Sequence, residues 1–345
     1  MIGTAGPMTG QYAVFGRQMR EGAILAVDDL NAAGGVLGRE VELLIGDDRC
    51  DPRQAVSVAN EMALDGVVFM AGHFCSGASI PASEVYSDEA ILQISPASTN
   101  PALTVTGGDN VFRVAGRDDR QGTIAGTLIA DDYPTGTIAV LHDGSTYGQY
   151  LSQAAMVTLA GRGVPVAIFE SYPQGLADAG PLVAELDQQN VDVLYVAGYH
   201  DDVALIARTL REQGMETQLI GADALVTDEF HALAGTASDG TLMTFGPDPR
   251  NFPEATDVVV RSRADGFEPE GYVLYTYAAI QVWAEAAERA GTTDTDAIVA
   301  EMSDGAFDTV IGRLTFDENG DIEQPAYVWY EWRNGRYRVL DRVQG

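Results

Sequence analysis

Several polar side chains follow predicted strands: Ser76, Thr99, Tyr147, Tyr199 and Asp223. Parallel sheets covered by helices bind their ligands beyond the carboxyl ends of the strands, which is where these residues fall. Ser76 and the residues near Tyr147 also begin predicted helices, whose free backbone N–H groups suit a carboxylate. A single acid such as Asp223 suits an ammonium group, and the tyrosines add aromatic walls. Together these groups match a zwitterionic amino acid. Structural alternatives stay open, since loop tyrosines are commonly amphipathic surface and Asp223 could cap the helix near Thr227.

The standard catalytic signatures are absent from the sequence. It has no P-loop, no H-E-x-x-H, no G-x-G-x-x-G after the first strand and no G-x-S-x-G. Ser76 lies where a strand meets a helix, and His142 and His200 also follow strands. A Ser76-dependent hydrolase is therefore an alternative, but Ser76 lacks a nucleophile elbow and no third partner is evident. We expect a binding protein with no catalytic residue and no cofactor.

The two cysteines, Cys50 and Cys75, each follow a predicted strand. Neighbouring parallel strands would bring both loops to one sheet edge, within bridging range. A bridge there closes a loop of about 26 residues and stabilises the fold by roughly 3 kcal/mol. We predict this disulfide, which indicates an oxidising compartment. Two isolated cysteines with no histidine at ligand spacing predict no metal site.

Short apolar runs alternate with segments of helical periodicity along most of the chain. The chain opens with Ile2–Gly6, a first strand and its turn, and helical periodicity is clear at Met19/Ala23/Val27/Leu30. Continuous apolar strands alternating with helices predict an α/β fold with doubly wound parallel sheets. The further predicted strands are Val41–Ile45, Val67–Ala71, Ile91–Ile94, Thr137–Leu141, Val166–Phe169, Val193–Val196, Gln218–Ile220 and Leu242–Thr244.

Breaker-rich polar segments near residues 115 and 245 predict that a central block forms its own lobe. We expect an N-terminal lobe of residues 1–117 plus 246–325 and a C-terminal lobe of 118–245 plus 326–345, facing each other across a ligand cleft. Asp317–Gly320 and Asn334-Gly335 predict two hairpin turns. A calcium loop over Asp317–Glu323 is a weaker alternative, because its glycine falls at the wrong offset for an EF-hand.

Charge and hydropathy exclude several classes of function. The 345 residues include 51 acids against 20 arginines and no lysine, a net charge of −31. Such a chain repels phosphate backbones and anionic lipids, and no apolar run approaches the length of a membrane span. The sequence also lacks the n-region and h-region of a signal peptide. If the protein is exported, its signal peptide has been removed and Met1 is an added start.

Motifs in fixed order and spacing give the chain a family resemblance. The motifs are, in chain order, Gly6-Pro7-Met8-Thr9-Gly10, Asp29–Gly35, Asp47–Pro52, Gly72–Ser76, Ile94–Thr99, His142-Asp143, Tyr147-Gly148, Gly198–His200, Gly221–Asp223 and Tyr275–Ala279. In this arrangement the chain resembles, through nearly its whole length, the periplasmic Leu/Ile/Val-type substrate-binding proteins of ABC transporters.

The resemblance implies two Rossmann-like lobes, three hinge crossings and closure around one small ligand. It also implies the Cys50–Cys75 disulfide, a periplasmic location, a monomer, and membrane permease subunits of an ABC importer as partner. The resemblance also assigns the family's binding roles to the matching positions of this sequence. Ser76 and Thr99 would hold the α-carboxylate; the Ala97 carbonyl and Asp223 would hold the ammonium group. Tyr147 and Tyr199 belong to the central lobe's face, and the side-chain pocket would be lined by Phe15, Phe74 and Tyr272.

Two departures from the family pattern affect the ligand. Asp223 stands where similar members carry the longer Glu, and Phe15 replaces a tyrosine or tryptophan. The complete set of polar residues favours an α-amino acid, preferably branched-chain or aliphatic. The alternative is a sensor or transport receptor for another small metabolite, such as an amide, urea or an aromatic acid, because proteins with similar frames bind these.

Overall fold

The computed structural model describes residues 1–323 and 327–340. These residues divide into unit 1, with residues 1–116 and 248–323, and unit 2, with residues 117–247 and 327–340. The predicted boundary at 325/326, where a third crossing is expected, lies outside the described residues. Each unit is assembled from two separated stretches of chain.

The strands, in chain order, are β1 (Ile2–Gly6), β2 (Leu43–Asp47), β3 (Phe69–Gly72), β4 (Leu92–Ser95), β5 (Val111–Arg113), β6 (Ile138–His142), β7 (Val166–Ser171), β8 (Val193–Ala197), β9 (Gln218–Gly221), β10 (Leu242–Phe245), β11 (Phe307–Thr309), β12 (Gly312–Leu314), β13 (Val328–Arg333) and β14 (Arg336–Val339).

The α-helices are α1 (Ala13–Ala32), α2 (Pro52–Leu64), α3 (Ser76–Asp88), α4 (Ala102–Val105), α5 (Asp118–Asp132), α6 (Thr146–Gly161), α7 (Gly180–Gln188), α8 (His200–Glu212), α9 (Asp228–Ala234), α10 (Thr256–Ala264), α11 (Val273–Ala290) and α12 (Thr295–Asp304).

Unit 1 is built on a parallel sheet with the strand order β2-β1-β3-β4-β5 among its described residues. Strand β1 pairs with β2 on one side and β3 on the other, with Gly3 opposite Leu44 and Met70. All residues of β1, β3 and β4 are buried, which accounts for their continuous apolar character. Helix α1 packs against α11 and helix α2 against α3. The carboxyl ends of β3 and β4 lead directly to Ser76 and Thr99.

Unit 2 contains a sheet with the order β14-β13-β10-β9-β8-β6-β7 among its described residues. Strands β6 to β10 pair in parallel, whereas β13 is antiparallel to β10 and forms a hairpin with β14. The predicted α/β class with parallel sheets is confirmed, and so is the hairpin at Asn334-Gly335. At the other predicted turn, the backbone N–H of Gly320 donates to the Asp317 carbonyl and Phe316 pairs with Ile322. That segment is therefore a turn.

Local sequence explains where the helices begin and end. Helix α2 begins after Asp51, whose carboxylate accepts from the backbone N–H groups of Arg53 and Gln54. Helix α1 is followed by Gly34 and Gly35, both at positive φ. A Cβ at position 35 would lie 1.8 Å from the Arg39 carbonyl oxygen, so only glycine fits there.

The predicted disulfide joins Cys50 and Cys75, whose Cα atoms are 5.4 Å apart. The assumption that the two preceding strands are neighbours is wrong, because β1 lies between β2 and β3. The bridge forms because Cys50 lies three residues beyond β2, while Cys75 immediately precedes α3. The chain beyond the strand ends therefore reaches across β1.

In the part of the chain that the structure describes, no helix combines the length and apolar character needed to cross a membrane.

Candidate functional site

The residues predicted to line a side-chain pocket form an aromatic cluster in unit 1. Phe15 from α1 stacks on Phe74 with ring centroids 4.4 Å apart. Tyr272 meets Phe74 edge-on at 5.1 Å and Phe15 at 6.2 Å. These offset and edge-to-face arrangements are favourable beyond simple burial. The structure thus brings together three residues that are up to 257 positions apart (272 − 15 = 257).

Tyr272 is held in place by a buried glutamine that the sequence did not reveal. The side-chain oxygen of Gln18 accepts from the Tyr272 backbone N–H at 3.0 Å. Gly271 has φ +57°, and a Cβ there would lie 2.3 Å from the same oxygen. A glycine at 271 therefore permits the close approach through which Gln18 fixes the start of α11.

Ser76 is the first residue of α3, and its hydroxyl accepts from the backbone N–H of Asn100 at 3.3 Å. This bond links the loop after β3 to the loop after β4, which carries Ala97 and Thr99. Ser98 adds a second link, since its hydroxyl donates to the Phe74 carbonyl at 2.8 Å. Ser76, Ala97 and Thr99 are each at most 5 % exposed. The two loops form one hydrogen-bonded wall at the N-terminus of α3, which is suited to an anion.

A fully buried arginine organises this wall, and sequence analysis missed it. The Arg113 guanidinium donates to the carbonyls of Ser98 and Asn100 at 3.0 and 2.9 Å, on either side of Thr99. It also pairs with Asp321 and donates to the Thr104 hydroxyl. Arginine's planar fork suits several acceptors at once. Nothing in the segment Val111–Arg113 distinguishes this side chain from an exposed strand-end arginine.

His73 takes part in a second buried network, next to the disulfide. One ring nitrogen lies 2.6 Å from Asp48 Oδ2, and the other lies 2.9 Å from the Tyr86 hydroxyl. Burial raises the pKa of Tyr86, and the Asp48 carboxylate raises it further. Asp48 also accepts from the Cys50 backbone N–H. Both ring nitrogens of His73 are thus engaged, so this histidine does not act on Ser76.

In unit 2 the structure brings together Tyr147, Tyr199 and Asp223. The Tyr147 hydroxyl donates to Asp223 Oδ1 at 2.6 Å, and the rings of Tyr147 and Tyr199 lie 5.4 Å apart. Asp223 is only 4 % exposed. The alternative in which Asp223 caps the next helix is wrong, because the Thr227 hydroxyl caps α9 by accepting from the Glu229 backbone N–H.

Further buried polar groups surround Asp223, and none was predicted. The Gln121 side-chain amide donates to Asp223 Oδ1 at 3.0 Å. The fully buried Tyr195 hydroxyl has its pKa raised by burial and then by the carboxylates of Asp118 and Asp223. The partners in this cluster come from the start of α5, the middle of β8 and the turn after β9. Sequence separations of about 100 residues hide such contacts from a periodicity analysis.

A second acidic pair in unit 2, Asp143 and Asp202, holds the chain after β7. Asp202 accepts from the backbone N–H groups of Gly175 and Leu176 at 2.9 and 2.7 Å. Asp143 accepts from the Ser145 backbone N–H and hydroxyl and from the side chain of Gln174. Burial raises the pKa of Asp143 to about 6, with a further upward contribution from Asp202. This pair therefore orders the chain that follows β7.

Comparison with known proteins agrees with this architecture. Residues 1–336 match the family described as periplasmic binding protein. The chain is similar to Leu/Ile/Val-binding protein homolog 1 of Brucella suis, at 45 % identity over all of this chain and 93 % of the relative. It is also 38 % identical to the leucine-, isoleucine-, valine-, threonine- and alanine-binding protein of Pseudomonas aeruginosa, covering 98 % of this chain and 91 % of that protein.

Solved structures are similar over the same length. A leucine-binding protein from Thermotoga maritima superposes with a TM-score of 0.89 at 28 % identity, covering 98 % of this chain and 97 % of the other. A substrate-binding protein from Desulfitobacterium hafniense, solved with leucine, gives a TM-score of 0.81 at 26 % identity, covering 98 % and 99 %. From the match over residues 1–336 and the identity to full-length relatives, we conclude that this chain belongs to the periplasmic binding protein family.

Proposed function

We propose that this protein is a periplasmic receptor that captures a branched-chain or similar aliphatic L-amino acid and delivers it to the membrane permease of an ABC importer. As a member of a binding-protein family, it is a receptor and not an enzyme. The proposal rests on relatives whose names specify leucine, isoleucine and valine. It rests equally on one structural observation, the buried Asp223 carboxylate bonded to Tyr147.

The ligand's carboxylate is assigned to unit 1. The first N–H groups of α3 and the hydroxyls of Ser76 and Thr99 form a site with partial positive charge at the helix N-terminus. Charge-assisted hydrogen bonds to such groups are about twice as strong as neutral ones. Arg113 acts indirectly, because it fixes the carbonyls on either side of Thr99.

The ligand's ammonium group is assigned to Asp223, together with the Ala97 carbonyl. Burying a carboxylate in a protein is unfavourable unless it is paired and hydrogen-bonded, and an ammonium group completes that pairing. Tyr147 and Tyr199 supply the aromatic wall beside the acid. Asp223 has a short side chain, so its exact placement determines whether it reaches the ammonium group.

The apolar side chain of the ligand is assigned to Phe15, Phe74 and Tyr272. Their rings pack against one another at 4.4 to 6.2 Å and present a rigid apolar surface. Such a surface favours a branched aliphatic group through area burial. It offers few partners for a polar side chain, which would then be desolvated without compensation.

The test is a binding panel on refolded, ligand-stripped protein, with the twenty amino acids, urea, short amides and aromatic acids. We expect leucine, isoleucine or valine to raise Tm by several degrees at about 100 times Kd. Asp223→Asn should weaken binding of the best amino acid at least about tenfold, because the charged partner of the ammonium is lost. Asp192→Asn, an acid in the same unit whose carboxylate accepts from the Thr137 backbone N–H, is the control and should leave affinity within about twofold.

Two outcomes would contradict the proposal. If an amide, urea or an aromatic acid raises Tm and no amino acid does, the family assignment stands but the proposed amino-acid ligand is wrong. An unchanged amino-acid affinity in Asp223→Asn would remove the ammonium assignment. Recovery of intact ligand after incubation checks the receptor role against the Ser76 hydrolase alternative.

A further inference from the structure

Gln121 lies in the first turns of α5 and is fully buried. Its side-chain nitrogen lies 3.0 Å from Asp223 Oδ1, 2.9 Å from the Thr244 hydroxyl and 3.3 Å from the Thr244 carbonyl. Gln121 thus connects the acid after β9 to the end of β10.

The chemistry of its partners fixes the orientation of this amide. A carboxylate oxygen and a carbonyl oxygen can only accept, so the nitrogen of Gln121 must face them. The Tyr147 hydroxyl donates to the same atom, Asp223 Oδ1, at 2.6 Å. Two donors from different helices therefore converge on one oxygen and restrain the rotation of the Asp223 carboxylate.

The other end of the Gln121 amide is unfavourable for folding. Its Oε1 is buried and has no hydrogen-bond partner among the described residues. A buried acceptor without a partner loses its hydrogen bonds to water and gains none in the protein. The glutamine therefore serves the groups that its nitrogen contacts, Asp223 Oδ1 and Thr244, while its own oxygen stays unsatisfied.

A neutral donor also suits the electrostatics of the site. The surroundings are acidic, because the carboxylates of Asp118 and Asp223 both act on the Tyr195 hydroxyl. An arginine or lysine in place of Gln121 would neutralise Asp223 and compete with a cationic ligand group. An amide orients the carboxylate without supplying a positive charge, so the full charge remains for the ligand.

We propose that Gln121 is a positioning residue for ammonium recognition: with Tyr147, it holds the short Asp223 side chain in the orientation that receives the ligand's ammonium group. This inference rests on the proposed function, because it assumes that Asp223 binds the ammonium. In this way Gln121, a residue of α5, fixes the position of an acid whose side chain is short.

The test compares Gln121→Leu with the unmodified protein and with Gln218→Leu as the matched control. Gln218 lies at the start of β9 in the same unit, and its amide donates to the carbonyls of Leu219 and Gly240 rather than to Asp223. Leucine affinity is measured by calorimetry and stability by thermal unfolding of ligand-free protein. Binding of 4-methylpentanoate, which is leucine without its amino group, is measured by thermal shift at millimolar concentration.

We expect Gln121→Leu to weaken leucine binding about tenfold and to lower the ligand-free Tm, because the buried Asp223 carboxylate loses a donor. The preference for leucine over 4-methylpentanoate should shrink by a similar factor. Gln218→Leu should lower Tm and leave leucine affinity within about twofold. A merely structural role for Gln121 would also lower Tm in Gln121→Leu but leave leucine affinity and ligand discrimination unchanged, and that result would overturn the inference.

Asp223→Asn separates this inference from the function on which it rests. If Asp223→Asn loses leucine affinity and Gln121→Leu keeps it within twofold, Gln121 has no positioning role and the receptor assignment stands. If Asp223→Asn itself keeps leucine affinity, the ammonium assignment fails, and with it the role of Gln121.

Discussion

At the scale of single residues, Asp143 shows how burial makes stability depend on pH. Its pKa is raised from 3.8 to about 6, mainly because the carboxyl group is buried. Between these values the folded state keeps a proton that the unfolded state has released. Stability from this group is therefore greatest below 3.8, falls as pH rises to about 6 and is constant above that.

Asp143→Asn should remove this dependence. The contribution of Asp143 spans about 3 kcal/mol, from a shift of about two pKa units. We expect the variant to gain stability relative to the unmodified protein as pH rises from about 4 to 7, measured by urea unfolding at several pH values. Asp192→Asn, an exposed acid bonded to the Thr137 backbone N–H, serves as control. Parallel pH profiles for Asp143→Asn and the unmodified protein would contradict the assignment.

Residue types at strand ends were predictable, but their partners were not. Asp223 and Tyr147 stand out because each follows an apolar run, and parallel sheets hold ligands beyond such runs. Gln121 and Arg113 do not stand out, because one sits inside a helix and the other ends a strand of three residues. Their roles depend on partners from about 100 to more than 200 positions away, and no local pattern encodes those contacts.

At the scale of elements, Arg113 joins three segments that are distant in sequence. It ends β5, bonds the carbonyls of Ser98 and Asn100 in the loop after β4, and pairs with Asp321 at the turn that follows β12. The turn at Asp317–Gly320 therefore supports the wall that carries Thr99. Its position opposite Arg113 explains how a C-terminal segment of unit 1 contributes to the candidate site.

Arg113→Met should destabilise unit 1 strongly. It leaves Asp321 as a buried charge without its partner, and removing one member of such a pair lowers the free energy of unfolding by about 3–5 kcal/mol. Arg250→Met is the matched control in the same unit, since Arg250 pairs with Asp248 and Glu268 at a more exposed position. Arg250→Met should lower the free energy of unfolding by about 1 kcal/mol or less. Equal losses for both variants in urea unfolding would show that the Arg113 network contributes no more than a surface pair.

The order of the strands could not be predicted even where their existence could. Predicted runs such as Val41–Ile45 fall within two residues of the observed β2, and Val193–Val196 matches all but the last residue of β8. The neighbour of each strand is fixed by packing of the whole sheet. The predicted bridge between Cys50 and Cys75 is correct, but the prediction assumed that the two strands before the cysteines are neighbours. In the sheet, β1 lies between those strands.

At the scale of the whole molecule, the net charge of −31 acts against the compact state. Folding brings the carboxylates closer together, and at 0.1 M salt the repulsion between exposed charges more than about 10 Å apart is largely screened. We expect Tm of the ligand-free protein to rise by several degrees as NaCl increases from about 10 mM to about 0.5 M. The rise should level off at the upper end, and an uncharged osmolyte at equal osmolality should not reproduce it. A Tm that falls with salt would show that attractive ion pairs outweigh the repulsion.

The two separated stretches that form each unit have a consequence for the order of events during synthesis. Unit 1 lacks α11 and the turn opposite Arg113 until residues beyond 248 have been made, and β10 of unit 2 lacks its neighbour β13 until the chain has reached residue 328. Domains encoded by one continuous stretch can fold as soon as they leave the ribosome. Here each unit needs a stretch made after part of the other unit, so unit 1 is incomplete before residue 248 and unit 2 before residue 328.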